Sequence, residues 1–217
     1  MTAQVLPFNP LDKKNLGASV AEALINSEPQ PLGSLTPFDG VGIYAIYYRG
    51  TFKQYRLIAE KNQDKSNPIM PIYVGKAVPP GARKGVLTGD PLVSRSLYLR
   101  LKQHAESIAQ AENLDIADFD FRFLIVDEIW IPLGESLMIA KFTPLWNSII
   151  EGFGNHNPGS GRYQGLMPLW DLVHPGRSWA MKCKERPEKL ADVLRGAENF
   201  LENIVMPTFP NFLGKSS

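Results

Sequence analysis

Two short segments that combine tyrosine with glycine place the strongest constraint on how this chain folds. The first, GVGIYAIYYRG, runs from Gly40 to Gly50, and the second, PIYVGKA, runs from Pro71 to Ala77. Both are rich in β-branched and aromatic residues, which favour strands. A glycine within a strand lets another backbone or a ligand come close. The segments predict two strands whose tyrosines, Tyr44 and Tyr73, either fill the core or take part in chemistry.

The remaining periodic segments predict a mixed arrangement of strands and helices. Alternating or β-branched runs predict two more strands, QYRLIAE (54–60) and DFDFRFLIVDEIW (118–130). Apolar residues at helical spacing predict four helices, at 15–26, 94–113, about 134–143 and 186–205. This order predicts an α/β (α+β) fold, with a small central mixed or antiparallel sheet flanked by helices in a single compact domain.

Charged residues are segregated along the chain, although its formal net charge is only +1. Between Lys76 and Lys102 six bases stand against one acid, and between Ala105 and Glu128 seven acids stand against one base. A basic block of this kind can follow a phosphate backbone. Solvated loop and helix charges would explain the same pattern equally well.

The sequence shows no targeting or membrane-spanning segment. The stretch MTAQVLPFNPLDKKN lacks a continuous apolar core, and no run approaches the roughly 20 apolar residues that cross a bilayer. Cys183 is the only cysteine, which excludes an internal disulfide and a cysteine-based metal site. These features predict a cytoplasmic protein with no membrane partner.

Four further polar residues have a spacing that favours a shared site. Arg100 and His104 are four residues apart, so they share one face of the predicted helix. Glu135 is expected in the first turn of the next helix, where the helix dipole favours a carboxylate, and Asn147 is expected to end that helix. Each residue alone has an ordinary structural explanation, as core filling, surface charge or helix cap.

Taken in order, these elements resemble the GIY-YIG nucleases, and among them the type II restriction endonucleases. The resemblance covers Gly40 to Asn147 and lies in GIY (42–44), YVG (73–75), LRLKQH (99–104) and ESLMIAKFTPLWN (135–147). Val74 stands where the family usually has isoleucine. The 28 residues between Tyr44 and Tyr73 and the 24 between Gly75 and Arg100 exceed the compact family pattern.

The resemblance implies three regions: an N-terminal arm (1–40), a nuclease core (41–150) with insertions at 49–71 and 77–93, and a recognition loop with a C-terminal helical extension (151–217). It further implies hydrolysis of DNA with Mg²⁺ or Mn²⁺ bound by Glu135. Tyr44 would position or deprotonate water, with His104 or Lys76 tuning or relaying the proton. Tyr73 would bind the phosphate or water, Arg100 would clamp the phosphate, and Asn147 would support the site.

Recognition of DNA is assigned to two loops, Gly81 to Gly89 and Gly152 to Gly165, and to Arg95 at the start of the predicted helix 94–113. Their side chains suit base edges or phosphates, with arginine and lysine favouring guanine and a GC-rich site. The expected contacts are Arg83, Lys84, Arg95, Asn155, His156, Asn157, Arg162 and Gln164. Because symmetric cutting needs two active centres, we expect a homodimer on a palindromic duplex.

Three alternatives remain at this point. One is a catalytically silent nucleic-acid-binding module of the same fold, in which the tyrosines stack or pack. Another is a repair or homing nuclease of the same family, although no separate DNA-binding domain is visible. The third is a small-molecule α/β enzyme, which the absence of a nucleotide fingerprint or nucleophile elbow disfavours.

Overall fold

A computed structural model describes residues 12–78, 94–159 and 163–204 of the chain. Within these ranges the strands form one sheet in the order β1-β4-β2-β3, and every neighbouring pair is antiparallel. The strands are β1 (Gln30–Pro31), β2 (Gly42–Tyr48), β3 (Pro71–Ala77) and β4 (Phe119–Ile125). The antiparallel form of the predicted sheet is therefore the observed one.

Seven α-helices surround this sheet in the described part of the chain. They are α1 (Lys13–Asn26), α2 (Arg56–Lys61), α3 (Ser96–Gln110), α4 (Ile131–Phe142), α5 (Leu145–Ser148), α6 (Leu169–Val173) and α7 (Leu190–Asn203). The predicted mixed α/β class is confirmed. Over the described ranges, none of these helices combines the length and apolar character that crossing a membrane requires.

The central strand β2 is buried on both faces, and its alternating side chains divide the core into two layers. Ile43, Ala45 and Tyr47 pack with residues of α1 and α4. Tyr44, Ile46 and Tyr48 point the other way and pack with residues of α3, α5, α6 and α7. Because successive side chains of a strand alternate in direction, the sequence GIYAIYY places Tyr44 on the α3 side.

One predicted strand is wrong, because QYRLIAE folds as a 3₁₀ turn (Lys53–Tyr55) followed by α2. Its buried residues are Tyr55, Ile58 and Ala59, which recur at the i, i+3, i+4 spacing of a helix face. Arg56 and Glu60 form an ion pair of 2.6 Å one helical turn apart. The β-branched and aromatic composition suggested a strand, but the buried positions follow the helical period.

Asn62 closes the connection between β2 and β3 and so fixes how the two tyrosine strands meet. Its side chain is fully buried. Its Nδ2 donates to the carbonyl oxygens of Tyr48 (3.1 Å) and Met70 (2.8 Å). Its Oδ1 accepts from the backbone N–H groups of Ile69 (3.0 Å) and Met70 (2.9 Å). One amide thus satisfies backbone groups at both ends of the connection.

Replacing Asn62 with alanine should lower the free energy of unfolding by roughly 2–4 kcal/mol, because it leaves buried backbone groups without partners. Urea denaturation measures this change. Gln63→Ala is the matched control, since Gln63 is exposed and makes one bond to the carbonyl of Ala59; its change should stay within about 0.5 kcal/mol. Equal small changes in both variants would contradict the assigned role of Asn62.

Candidate active site

A buried hydrogen bond between Tyr44 and His104 forms the centre of the site. β2 supplies the tyrosine and α3 supplies the histidine, and the two atoms Tyr44 Oη and His104 Nε2 lie 2.6 Å apart. Both side chains are almost completely removed from solvent. The ring of Phe153 stacks on the imidazole with centroids 4.5 Å apart and the planes 19° from parallel.

The electrostatics of this pair keep both groups neutral. Burial lowers the pKa of His104 well below its ordinary 6.5, and the nearby Arg100 charge lowers it further. Burial raises the pKa of Tyr44 well above 10; Tyr73 adds to this effect, and Arg100 opposes it. A neutral imidazole carries one proton, and in the tautomer with that proton on Nδ1 the Nε2 atom accepts from the Tyr44 hydroxyl.

Gly75, two residues after Tyr73, must be a glycine because its position faces Tyr44. In the antiparallel pairing of β2 with β3, Tyr44 lies directly opposite Gly75. A Cβ atom at position 75 would run into the phenol of Tyr44 and come within 3.0 Å of the ring of Tyr73. The missing side chain therefore lets the two phenol rings lie together, with centroids 6.2 Å apart.

Arg100 covers the cluster of Tyr44, Tyr73 and His104 from the surface of α3, one turn before His104. Its Nη2 donates to the carbonyl of Gly154 at 2.8 Å, and its Nη1 contacts Gln103 and the ring of His156. The pKa of Tyr73 is raised by burial and lowered in turn by the Arg100 charge. One guanidinium thus acts on both phenols.

Glu135 and Lys76 form the exposed border of the site. Lys76 Nζ lies 2.6 Å from Glu135 Oε2, and the two side chains are 38% and 20% exposed. The charge of Glu135 reaches both tyrosines, because it raises the pKa of each in addition to the larger effect of burial. The expected first-turn position is wrong, since α4 begins at Ile131 and Glu135 falls in its second turn. Pro132, at the start of the helix, sets this earlier beginning.

Asn147 supports the site by holding β3 and does not cap α4 as the sequence suggested. Its Nδ2 donates to the carbonyl of Val74 (2.9 Å), and its Oδ1 accepts from the N–H of Val74 (2.8 Å). α4 instead ends with Thr143 in a left-handed conformation, and Asn147 belongs to the next helix, α5. Pro144 separates the two helices, which is why the cap falls earlier.

The structure gives only a partial view of the residues assigned to DNA contacts. Arg95 is exposed just before α3 and pairs with Asp39 at 3.2 Å. Asn155, His156, Asn157 and Gln164 are exposed on the loop that packs against the cluster. Arg83, Lys84 and Arg162 lie outside the described residues.

Two contributors to the site were missed by sequence reasoning. Phe153 lies within the glycine-rich loop that was assigned to recognition, yet it stacks on His104 and meets the edge of Tyr73. Arg177 donates to the carbonyl oxygens of Gly152, Phe153 and Asn155. An aromatic residue between two glycines in a polar loop was the available signal for Phe153, whereas nothing near Arg177 in the sequence marked its role.

A second buried tyrosine–histidine pair shows what such a contact looks like away from the surface. Tyr55 Oη lies 2.7 Å from His174 Nε2, and Trp146 donates to the same phenol at 3.1 Å. His174 Nδ1 lies 2.8 Å from Asn113 Oδ1. Burial lowers the pKa of His174 to about 3. Aromatic rings surround this pair, and its polar atoms find their hydrogen-bond partners within the core.

The two buried histidines predict that mild acid destabilises the protein. Below about pH 6.5 the unfolded chain binds protons at these positions and the folded chain does not. The free energy of unfolding therefore decreases as the pH is lowered. Each histidine contributes up to about 1.4 kcal/mol per pH unit. Urea unfolding between pH 7 and pH 5 measures the slope. The double variant His104→Gln/His174→Gln should flatten it, and an equally steep slope in that variant would contradict the neutral burial of both rings.

A comparison with family models places the whole of this site within one known domain. The model of the Eco29kI GIY-YIG domain matches residues 36–201, well over half of the 217-residue chain. A comparison with curated proteins finds no match to the chain. The matched range contains both tyrosine–glycine strands, α3, α4 and the loop that packs on His104. The chain therefore belongs to the GIY-YIG nuclease family, in its branch of type II restriction endonucleases.

Proposed function

We propose that the protein is a type II restriction endonuclease, which hydrolyses phosphodiester bonds of duplex DNA at a palindromic site with Mg²⁺ or Mn²⁺. The observation that carries this proposal is the Tyr44–His104 hydrogen bond beside Arg100 and Glu135. These groups supply a path for a proton, a cation for a phosphate and a ligand for a metal ion. Membership in a nuclease family gives the reaction class.

The proton path runs from water through Tyr44 to His104. A water molecule that attacks phosphorus gives a proton to the Tyr44 oxygen as the phenol passes its own proton to His104 Nε2. A neutral tyrosine suffices for this relay, so the raised pKa of Tyr44 does not prevent it. The O–P bond to the leaving 3′ oxygen breaks as the new bond from water forms, and the leaving oxygen takes a proton from solvent. Of the two candidate proton acceptors, His104 and Lys76, the 2.6 Å bond to Tyr44 supports His104.

Arg100 would bind the scissile phosphate and open the site at the same time. Tyr44 is fully buried, so water reaches its hydroxyl only when a neighbouring side chain moves. Arg100 is half-buried at the surface, and its planar guanidinium suits phosphate oxygens. A bound phosphate would also offset the Arg100 charge that depresses the pKa of His104, so the imidazole becomes a better proton acceptor.

The residues around Glu135 fit a hydrated Mg²⁺ or Mn²⁺ ion. Among the described residues, no group of three histidine, cysteine or acidic side chains could hold a metal. Mg²⁺ needs only one or two carboxylates, because it keeps several waters and binds substrate phosphates. Glu135 is the carboxylate whose charge reaches both phenols. An ion held there would stabilise the negative charge that develops on the phosphate and leaving oxygen.

Lys76 would occupy the Glu135 carboxylate until a metal ion replaces it. Its ammonium pairs with Glu135 in this structure and would compete with a metal ion for the carboxylate. On metal binding Lys76 would be released toward the phosphate, where a further positive charge is favourable. Tyr73, at the edge of the cluster and 9% exposed, would bind the phosphate or the attacking water.

Specific cutting is assigned to the exposed loop next to the site and to a twofold assembly. Asn155, Asn157 and Gln164 have amide groups suited to adenine, and Arg95 lies at the start of α3 where it can contact the backbone. Two copies of the chain on a palindrome would cut both strands. The silent-module alternative is disfavoured, since it gives no reason for a proton relay, an arginine and a carboxylate to share one cluster.

Tyr44→Phe should lower the single-turnover cleavage rate about 10²-fold or more, because it removes the oxygen through which the proton passes. Phage DNA with Mg²⁺ is the substrate, and sequenced fragment ends identify the site. Tyr47→Phe is the matched control on the same strand, since the Tyr47 side chain is buried on the opposite face of β2, toward α1 and α4. Equal rates for Tyr44→Phe and the wild type would contradict the relay.

Glu135→Gln should raise the Mg²⁺ concentration needed for half-maximal cleavage by at least about tenfold, because the neutral amide is a weaker ligand. Calorimetric titration with Mn²⁺ measures the same loss without cleavage. Glu60→Gln is the control, since Glu60 also forms a 2.6 Å ion pair, with Arg56, on the exposed face of α2. An unchanged metal requirement in Glu135→Gln would exclude Glu135 as a ligand.

A further inference from the structure

The guanidinium of Arg177 uses all five of its N–H groups inside the protein. Its Nε and Nη2 donate to the two carboxylate oxygens of Asp171 at 2.7 and 2.5 Å. Its Nη1 donates to the carbonyl oxygens of Phe153 (3.0 Å) and Asn155 (3.2 Å), and its Nη2 also donates to that of Gly152 (3.1 Å). Five donors therefore meet five acceptors, which is the full capacity of an arginine.

This arrangement is costly and enclosed, which indicates a role beyond filling the core. Arg177 and Asp171 are each 1% exposed. The guanidinium lies over the rings of Trp170 and Trp179, at 4.5 and 4.8 Å from their centroids. Removing two charges from water costs several kcal/mol each, and apolar residues often stabilise such a position as well. What apolar residues cannot do is hold three backbone carbonyls in place.

The backbone that Arg177 holds carries two contacts to the candidate active site. Phe153 stacks on the imidazole of His104, and the carbonyl of Gly154 accepts from Arg100. The space is tight, since a Cβ at Gly154 would lie 2.6 Å from the Tyr73 hydroxyl and 3.2 Å from Arg100 Nη2. The exposed Asn155 and Asn157 follow directly. One side chain thus fixes the segment that joins the recognition loop to the cluster.

We propose that Arg177 is a positioning residue, which fastens residues 152–155 so that His104 and Arg100 keep the relative placement that cleavage needs. The proposal rests on the nuclease function above. It adds a residue that would affect the rate of cleavage without touching DNA. Because the hydrogen bonds of Arg177 extend to the carbonyl of Asn155, they also link the orientation of the recognition loop to the placement of His104, the proton acceptor. Arg177 acts through the loop and has no contact with the phosphate.

Arg177→Lys tests this role, because lysine keeps the charge while its single ammonium cannot serve five acceptors. The single-turnover rate at saturating DNA should fall about 10- to 100-fold, the range expected when reacting groups shift by about 1 Å. The dissociation constant for the same duplex should change by less than about threefold, since Arg177 makes no DNA contact. A role in stability alone would lower the folded fraction and leave the rate of folded protein unchanged.

Arg49→Lys is the matched control. Arg49 makes a two-pronged bond to Asp120, with Nε–Oδ2 and Nη2–Oδ1 distances of 2.5 and 3.0 Å, at the other end of β2 from the site. Its single-turnover rate should stay within about twofold of the wild type. If Arg177→Lys does not fold, Phe153→Leu tests the far end of the same connection and should show the same fall in rate with retained binding.

Nuclear magnetic resonance of the His104 ring separates failure of this inference from failure of the proposed function. The chain has three histidines, so the ring signals can be assigned by substitution. They should move in Arg177→Lys and stay in place in Arg49→Lys. A wild-type protein that cuts no DNA overturns the nuclease proposal. The His104 ring signals then still show whether Arg177 positions the loop against His104. Unmoved His104 signals together with an unchanged rate would overturn the role of Arg177.

Discussion

The buried hydrogen bond between Tyr44 and His104 is the interaction on which the rest of the site depends. Each group would be costly to bury alone, and each satisfies the other at 2.6 Å. The bond exists because β2 is covered on both faces and its alternation directs Tyr44 toward α3. Gly75 is required at the facing position, since any side chain there would displace the phenol. The tyrosine and glycine of the two segments are thus both needed for one hydrogen bond: Tyr44 forms it, and Gly75 leaves room for the phenol.

The same fold contains a second tyrosine–histidine pair, and the comparison shows what distinguishes a site from a core contact. Tyr55 and His174 are enclosed by aromatic rings and bonded to Trp146 and Asn113. Tyr44 and His104 instead lie beneath Arg100, a side chain at the surface, and within reach of the charge of Glu135. We therefore attribute the proposed chemistry to the neighbours of the pair, which bring a cation and a carboxylate to an otherwise closed contact.

Much of the fold could be predicted from the sequence, because β2 and β3 have a β-branched and aromatic composition and β4, α3 and α7 carry a clear apolar pattern. The prediction failed for α2, because composition favoured a strand and only the spacing of Tyr55 and Ile58 indicated a helix. The positions of Glu135 and Asn147 within their helices were also wrong, since each depends on where a proline begins the element. The spacing of Arg100 and His104 predicted that they share a face. It could not predict the Phe153 and Arg177 contacts, which join residues distant along the chain.

The central claim is that Tyr44, His104, Arg100 and Glu135 act together on one phosphate. A crystal structure of the Glu135→Gln variant bound to its uncut duplex tests it most directly. The account predicts the scissile phosphate in contact with the Arg100 guanidinium, with a water between phosphorus and the Tyr44 oxygen at about 3–3.5 Å from the phosphorus. A phosphate bound elsewhere, with Tyr44 still sealed beneath Arg100, would contradict it.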